Sequence, residues 1–470
     1  MMAFNAELQR NIWLQMSWGR LFVAPLLLGI LLAAVIAAME PPPEIMAEAA
    51  GWLFVLLMAL WSTRRVADSL AEEIGGGTWE GQRMSGLSAW SMMWGKLIGG
   101  AIFPWYCALI CLGVMIWFGL QALPADLRLL LWQQVATLLV GAILGQATAL
   151  TVALLLLRKA QFRRRLAVTM AQIAGLLAFG LAIGWDYSAN PWAAAVGQIA
   201  WYDRVHDGWL FYLISAAVFA GWALLAVYRL MCLELLYTMR PWAWTLFVLF
   251  AIGYAAGFVK WEVQALPSRL AIGFVVAAFL TYVAFFAEAK DPVRYRWGLA
   301  RFGAMQWWRA LEFMPWWLIS YILAVIAGVA TIWSIAMGGQ LTWEDSWWFI
   351  LQRDASWFAL APIAFNIVAI LLFVLRDVFF LLWLNFGRTR NRADLAGLVI
   401  LVIAYVPVPM LLTASGLLQF LPAVMPFAVT DAMATIWPAA EVVAMAVLLY
   451  LRWREAARIE IVTGQDEPTI

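Results

Sequence analysis

Apolar runs of about twenty residues recur along the whole chain, and they constrain its fold more than any other feature. A helix needs about 20 such residues to cross a membrane. Charged residues make up only 12% of the chain, about half the share of a soluble domain. The sequence predicts an all-α polytopic integral membrane protein with about twelve transmembrane helices. The predicted spans are residues 21–39, 49–66, 97–120, 129–157, 166–185, 208–228, 241–259, 270–287, 313–336, 355–375, 396–417 and 435–451.

Lysine and arginine residues predict which side of the membrane each loop faces, because they collect in cytoplasmic loops. With both termini cytoplasmic, the dense stretches "RKAQFRRR" (158–165) and "GRTRNR" (387–392) lie inside. We therefore expect a multi-pass protein of a bacterial inner (plasma) membrane, with both termini cytoplasmic. On this topology the outer loops hold five of the thirty basic residues, Arg128, Arg204, Lys260, Arg269 and Arg353.

Landmarks shared by the two halves of the chain indicate a duplication. Arg158 and Arg376 close spans 4 and 10 and lie 218 positions apart. Glu72 and Glu288 follow spans 2 and 8 and lie 216 positions apart. Because six is even, two six-span copies have the same orientation and form a parallel repeat. The predicted halves are residues 1–235 and 236–470.

Charge is concentrated in the first predicted cytoplasmic loop, "VADSLAEEIGGGTWEGQRMSGLSAWSMMWGKLIGG" (66–100), although its flanks are almost purely apolar. The triple glycine would end the helix that continues from span 2, since glycine adopts backbone angles that other residues avoid. Thr78 is a candidate N-cap for a short helix starting at Trp79. That helix has Trp79 and Arg83 on one side, and we expect it to lie at the membrane surface.

The order of residues in this loop resembles the signature of ABC-2-type transporter permeases, in roughly the form E-x-x-G-T-x-E followed by G-K-L between spans 2 and 3. The glycines at 75 and 76 lengthen the usual spacing. The resemblance implies the ABC-2-type exporter fold, here with two six-span halves in one chain. The matching residues are Glu73, Gly77, Thr78, Glu80, Gly95, Lys96 and Leu97.

Other segments carry the same resemblance. The amphipathic "FNAELQRNIWLQMSWGR" precedes span 1, as an N-terminal interfacial helix does in that family. The apolar segments 186–207 and 418–434 precede the last span of each half, where the family has half-helices that dip back into the membrane. The resemblance therefore covers the architecture of the whole chain.

The resemblance also implies a partner. In such permeases the helix after span 2 is a coupling helix, which docks on a dimer of a cytoplasmic ATP-binding-cassette ATPase. The chain itself would be no enzyme and would hold no cofactor or metal, because ATP and magnesium belong to the ATPase. The lipid bilayer is the other partner, nucleic acid is not expected, and the implied direction is export. The implied coupling region is 72–96, with candidate residues Glu72, Glu73, Gly77, Thr78, Trp79, Glu80, Arg83, Gly95 and Lys96.

The equivalent loop of the second half, at about 288–312, departs from the family pattern. It keeps Glu288 but has neither Gly-Thr nor Gly-Lys. Its predicted helix begins at Pro292, a favourable residue at the first helical position. Because the two loops differ so much, we expect an asymmetric pair of ATPase contacts, or one degenerate contact. The candidate residues here are Glu288, Arg294, Arg296 and Arg301.

Other functions are weighed against this one. No GxxxxGK[ST] phosphate loop occurs in the sequence, so ATP hydrolysis needs a separate polypeptide. A proton-coupled secondary transporter of the major-facilitator type also pairs two parallel six-span halves, and a non-catalytic membrane scaffold is a further alternative. Proton coupling needs ionisable groups within the bilayer. By the predicted boundaries only Glu441, in span 12, qualifies.

Polar side chains within the spans either line a translocation path or bond neighbouring helices. Gln146 and Asn366 lie 220 positions apart, at near-equivalent places in the two halves. The candidates for a path are Gln146, Gln172, Asn366 and Glu441.

A membrane-embedded enzyme is disfavoured, because the single histidine, His206, cannot make a multi-histidine metal centre. The cysteines have no CxxC spacing and lie in or beside apolar runs, so buried thiols are predicted. They are Cys107, Cys111 and Cys232.

Overall fold

A computed structural model of the chain confirms the predicted class. It is almost entirely helical where described, with one small sheet of strands β1 (Ile199–Trp201) and β2 (Arg204–His206). In this part, ten helices are long and apolar enough to cross a membrane, and the shorter apolar helices Trp18–Ile30 and Trp242–Ala256 lie at the two remaining predicted spans. The chain is therefore an all-α polytopic membrane protein. The structure describes residues 5–39, 41–158, 164–184, 198–259, 266–338, 360–387, 393–425 and 433–463.

The chain divides into two compact units. Unit 1 comprises Met1–Ile199 and Val205–Thr238, and unit 2 comprises Ala200–Arg204 and Met239–Ile470. The helices of unit 1 are α1 (Ala6–Gln15), α2 (Trp18–Met39), α3 (Pro43–Leu56), α4 (Thr63–Gly75), α5 (Thr78–Met84), α6 (Ala89–Leu97), α7 (Ile102–Ala122), α8 (Arg128–Leu157), α9 (Arg164–Ile183) and α10 (Gly208–Glu234). Those of unit 2 are α11 (Trp242–Ala256), α12 (Leu266–Ala287), α13 (Pro292–Gly303), α14 (Trp307–Ala310), α15 (Trp316–Ala336), α16 (Leu360–Asn385), α17 (Ala393–Tyr405), α18 (Pro407–Ala414) and α19 (Met433–Thr463).

A π-helical segment, Leu57–Ser62, joins α3 to α4 within the second span. The wider turn of a π-helix disturbs the regular backbone hydrogen bonds, and side chains bond two carbonyls of this segment. The hydroxyl of Thr63 donates to the carbonyl of Ala59 at 2.5 Å. The amide of Gln172, on α9, donates to the carbonyl of Leu60 at 3.0 Å.

Helices α8 and α9 cross closely because glycines meet at the crossing. A Cβ atom added to Gly145 would lie 2.9 Å from the carbonyl oxygen of Gly175. One added to Gly175 would lie 2.6 Å from the carbonyl oxygen of Gly145. Small residues at such crossings bring membrane helices into van der Waals contact, which is the main attraction between them in lipid.

The two units share an order of helix neighbours. The helix at the second predicted span of each half packs on the helix at the third, as α3 on α7 and as α12 on α15. The fourth packs on the fifth, as α8 on α9 and as α16 on α17. The fourth also packs on the sixth, as α8 on α10 and as α16 on α19. Each unit thus builds its core around the same spans.

The predicted end of span 10 at residue 375 is wrong. Helix α16 continues to Asn385, and its candidate span is Ala364–Asn385. Arg376 and Asp377 therefore lie within the span, and Glu441 is not the sole ionisable residue at membrane depth. The charged pair resembles a span end in the sequence, but the apolar run resumes directly after it.

Several other predictions fall partly outside the described residues. Lys260 and Arg353 lie outside them, as do 186–197 and 426–432 of the segments predicted to dip back into the membrane. What is described of those two segments includes the two-stranded sheet and a 3₁₀-helix at Leu418–Ala423. The three cysteines are free and buried, as predicted.

Candidate functional site

An ion-pair network in unit 1 connects the N-terminal helix to both ends of the predicted coupling region. The ammonium of Lys96, at the end of α6, lies 2.6 Å from a carboxylate oxygen of Glu7 on α1, and it also pairs with Glu73 on α4. Arg10 pairs with the same two carboxylates. Lys96 is 0% exposed and Glu7 is 3% exposed. Two cations and two carboxylates balance, which such burial requires because an unpaired buried charge is costly.

Glycine at position 95 gives α1 room to lie against α6. A Cβ atom at Gly95 would lie 2.4 Å from the Cγ atom of Glu7. Polar bonds fix the same contact: the amide of Asn11 donates to the carbonyl of Gly95 at 3.2 Å, and the amide of Asn5 donates to the carbonyl of Ser91 at 2.7 Å. The Gly-Lys pair of the sequence motif thus packs α1 inside the unit, because its glycine removes bulk and its lysine neutralises Glu7.

Helix α5 begins at Thr78, one residue earlier than predicted, and Gly77 is its N-cap. Gly77 has φ +71°, in the left-handed region that favours glycine. The hydroxyl of Thr78 donates to the carbonyl of Glu73 at 3.3 Å, so it caps no free amide of α5. The predicted N-cap role of Thr78 is therefore wrong, since Gly77 makes the turn and Thr78 is already helical.

One side of α5 is fixed by Glu234, the last residue of α10. The indole N–H of Trp79 donates to a carboxylate oxygen of Glu234 at 3.4 Å, and Trp79 is 5% exposed. The guanidinium of Arg83 donates to the carbonyl of Glu234 at 2.8 Å. Arg158, directly after α8, pairs with the Glu234 carboxylate at 2.8 Å. Sequence reasoning missed Glu234; its signal was a single carboxylate in the apolar stretch "YRLMCLELLY".

The opposite side of α5 is exposed. The side chain of Glu80 is 64% exposed and accepts two hydrogen bonds of 3.0 Å from Arg83, which lies in the same helix. Glu72, Gly77 and Thr78 are also exposed. Of the candidate coupling residues of this loop, these four can meet a partner, whereas Trp79, Gly95 and Lys96 are buried inside the unit.

The candidate residues of the second loop lie in helix α13 or just before it. Helix α13 begins at Pro292, as predicted, and Asp291 caps it. The carboxylate of Glu288 accepts from the backbone N–H of Trp316 at 2.9 Å and pairs with Arg294 at 3.3 Å. Glu288 thus joins the loop to the start of α15. Arg296 and Arg301 are half-buried, and the Arg301 guanidinium lies 4.5 Å from the ring centroid of Phe313.

A buried ion pair of unit 2, Lys290 with Asp394, holds the same end of this loop. The ammonium of Lys290 lies 2.8 and 2.9 Å from the two carboxylate oxygens of Asp394, and both side chains are 3% exposed. The amide of Asn385 donates to Asp394 at 3.0 Å. The pair connects the loop to the start of α17 and the end of α16. Sequence reasoning missed it because 104 positions separate its partners.

Three ionisable residues that lie within candidate spans of unit 2 meet one another. Arg376 donates to the Asp377 carboxylate at 2.8 and 2.9 Å and to the Glu441 carboxylate at 2.5 Å. The hydroxyls of Tyr282 and Tyr405 donate to Asp377 at 2.7 and 2.6 Å. Glu441 was a predicted path residue. The other four residues of this intramembrane cluster, Arg376, Asp377, Tyr282 and Tyr405, were not predicted. Ionisable groups within the bilayer are expensive and indicate function.

The amides predicted for a translocation path have different surroundings. In unit 1, Gln146 is fully buried, donates to the hydroxyl of Ser62 and accepts from the indole N–H of Trp105 at 3.1 Å. Gln172, also of unit 1, bonds the second span, so both glutamines connect neighbouring helices. In unit 2, the buried side-chain oxygen of Asn366 has no hydrogen-bond donor among the described residues.

Neither a group of metal ligands nor a similar known protein points to a further site in the described residues. Over the described parts of the chain, no group of three or more histidine, cysteine, aspartate or glutamate residues is placed to hold a metal ion. Comparisons with protein-family models, with curated proteins and with solved structures find no match.

Proposed function

We propose that the chain is the transmembrane permease subunit of an ABC-2-type exporter, driven by a separate cytoplasmic ATPase. The observation that carries the proposal is the ion-pair network of Lys96, Glu7, Glu73 and Arg10, in which Lys96 and Glu7 are buried. A loop that transmits force from a soluble motor has to be tied rigidly to the spans that it moves. This network ties the predicted coupling region to α1, α4 and α6.

The short helix of the loop has the two sides that such a contact needs. Its inner side is held by Glu234, through Trp79 and Arg83, to the end of α10. Its outer side presents the exposed carboxylate of Glu80 beside Thr78. In the proposal, the exposed residues meet the ATPase, while Lys96, Gly95 and Trp79 are positioning residues inside the unit. ATP binding would then displace α5 together with α4, α6 and α10.

The common order of helix neighbours in the two units supports a duplicated six-span permease, as the ABC-2-type resemblance implies for a chain of this length. The two cytoplasmic loops differ in chemistry, so we propose that the first is the principal ATPase contact. Scarce charge within the spans favours an apolar or amphipathic substrate, because a charged cargo requires compensating charges along its path.

The test reconstitutes the full chain in lipid vesicles with ATPases encoded beside its gene and measures the ATP hydrolysis that the chain stimulates. Glu80→Lys reverses an exposed charge, and its ion pair with Arg83 adds little to stability because exposed pairs are weak. We expect stimulation to fall about tenfold, equivalent to about 1.4 kcal/mol of docking. Asp126→Lys, an exposed acid outside the loop, is the matched control. Equal stimulation by wild type and Glu80→Lys would contradict the proposal.

The intramembrane cluster favours a second candidate, a proton-coupled secondary transporter. Such a transporter needs titratable groups at membrane depth, and Arg376, Asp377 and Glu441 provide them. The two candidates differ in energy source. Transport in vesicles that carry a pH gradient and no ATPase supports the second candidate, whereas transport that requires the ATPase and survives collapse of the gradient supports the first.

A further inference from the structure

Asp377 of the intramembrane cluster is a fully occupied carboxylate. Arg376 donates twice to one of its oxygens, at 2.8 and 2.9 Å. The hydroxyls of Tyr282 and Tyr405 donate to the other, at 2.7 and 2.6 Å. A carboxylate offers about four lone-pair positions, and here four donors occupy them. Asp377 is 1% exposed, and its carboxylate pairs with Arg376 at 2.8 Å.

Arg376 is shared between two carboxylates. One terminal nitrogen donates to Glu441 at 2.5 Å and to the carbonyl of Ala423 at 3.1 Å. The other donates to Asp377 and to the hydroxyl oxygen of Tyr405, the latter at 2.8 Å. The single guanidinium therefore balances one of the two carboxylates and leaves one negative charge in excess.

The excess charge lies well inside the membrane. At about 1.5 Å per helical residue, Arg376 is about 14 Å from the end of α16 and Glu441 about 12 Å from the start of α19. The hydrocarbon core is about 30 Å thick. An uncompensated charge at such depth costs several kcal/mol, so a cluster with one cation and two carboxylates favours uptake of one positive charge.

Glu441 is the place where that charge can bind. One oxygen accepts the bond from Arg376; the other accepts no hydrogen bond from any described residue, and 30% of the side chain is exposed. A proton added to the free oxygen leaves the bond from Arg376 intact. The step forms one O–H bond on Glu441 and breaks one O–H bond of a hydronium ion, which becomes water, and the charge of Glu441 changes from −1 to zero.

The elements packed around the cluster supply no second cation among the described residues. Helix α12 contributes Tyr282, α17 contributes Tyr405, and the 3₁₀-helix contributes the carbonyl of Ala423. Helix α15 contributes Tyr321, whose hydroxyl donates to the carbonyl of Leu371. We propose that Glu441 is a proton-binding residue, the carrier of one proton in the intramembrane cluster. This deepens the second candidate function, but it rests on the charges of the cluster alone.

The test measures protonated carboxyl groups directly, by infrared spectroscopy of the full chain in lipid nanodiscs at a series of pH values. We expect a protonated carboxyl band that Glu441→Gln removes. The glutamine keeps an oxygen that accepts from Arg376, so this variant should fold. Absence of a band that Glu441→Gln removes would overturn the proposal.

A second variant tests the charge argument. Asp377→Asn removes the competing carboxylate, so Arg376 balances Glu441 alone, and the band that Glu441→Gln removes should be weaker than in the wild type at the same pH. An equally strong band in a correctly folded variant would overturn the argument. Replacing choline chloride by sodium chloride at constant pH should leave the band unchanged; its loss would assign a sodium site instead. No ATPase, substrate or gradient is present, so the outcome is separate from that of either transport assay.

Discussion

Lys96 and Glu7 lie 89 positions apart in the sequence, and their ammonium nitrogen and carboxylate oxygen are 2.6 Å apart in the structure. The contact holds the N-terminal helix α1 against the end of α6. Both side chains are almost completely withdrawn from solvent. Removing one member of such a pair leaves the other as an uncompensated buried charge, which is far more costly than losing a surface pair.

Lys96→Met should therefore destabilise unit 1 strongly, by about 3–5 kcal/mol. The methionine fills much of the lysine's volume but leaves Glu7 and Glu73 facing each other with only Arg10 between them. The measurement is the denaturant-induced unfolding midpoint in detergent, with Glu80→Gln as an exposed control. Lys96→Met combined with Glu7→Gln should cost less than the two single changes together, because the double variant removes a charge of each sign. Strict additivity would contradict the pairing.

Gly95→Ala should weaken the contact between α1 and α6. Its new methyl group would lie 2.4 Å from the Cγ atom and 2.6 Å from the Cβ atom of Glu7, so Glu7 and helix α1 have to shift away from α6. Gly81→Ala, in the neighbouring helix α5, is the matched control, because a Cβ atom there meets nothing within 4 Å. Alanine is the better helix former by about 1 kcal/mol, so the control should be neutral or stabilising. Proteolysis of α1 should be faster only in Gly95→Ala; equal rates would contradict the assignment.

The spans were predictable because an apolar run of about twenty residues has few other folded states available. The position of Arg376 and Asp377 inside α16 was not predictable, because a charged pair within an apolar run resembles the end of a span. Their position is explained by Tyr282 and Tyr405, which come from other helices and compensate Asp377. Contacts of this kind depend on tertiary packing, which no local pattern records.

The candidate coupling residues show the same difference between a local sequence pattern and a tertiary contact. The Gly-Lys pair is a local signal; in the structure it lies near the end of α6, within the helical stretch of the third candidate span. Its use was not predictable, because the partner of Lys96 is a carboxylate of the N-terminal helix. Glu234 likewise lies 155 positions from Trp79. Sequence reasoning thus located the loop, whereas the division of its residues between the buried network and the exposed surface required the fold.

Glu234→Ala should release α5 from unit 1. The change removes the acceptor for the Trp79 indole and the partner of Arg158, at a cost of about 1–3 kcal/mol. The bond from Arg83 to the backbone carbonyl of residue 234 does not need the carboxylate. Local opening should therefore rise roughly five- to 150-fold. Limited trypsin digestion after Arg83 measures it, and Glu80→Ala, which leaves the inner side of α5 intact, is the control. Similar cleavage in both variants would contradict a holding role for Glu234.

Tyr295 should make unit 2 sensitive to alkaline pH. Burial raises the pKa of its phenol, and the negative charge of Glu288 raises it further. The folded state thus favours the neutral phenol. The stability that it contributes is fully present below the unfolded-state pKa of about 10 and is lost as pH rises through the higher folded-state pKa.

Tyr295→Phe separates this titration from the other contacts of the ring. At neutral pH the variant should be less stable by about 1 kcal/mol, because the indole N–H of Trp317 loses its acceptor at 3.0 Å. Above about pH 10, where the phenol of the unfolded state begins to titrate while the native phenol stays neutral, the unfolding midpoint of the variant should fall less steeply than that of the wild type. Tyr237→Phe, at an exposed tyrosine, should follow the wild-type curve at all pH values. Parallel alkaline curves for Tyr295→Phe and the wild type would mean that ionisation of this phenol does not limit the stability of the unit.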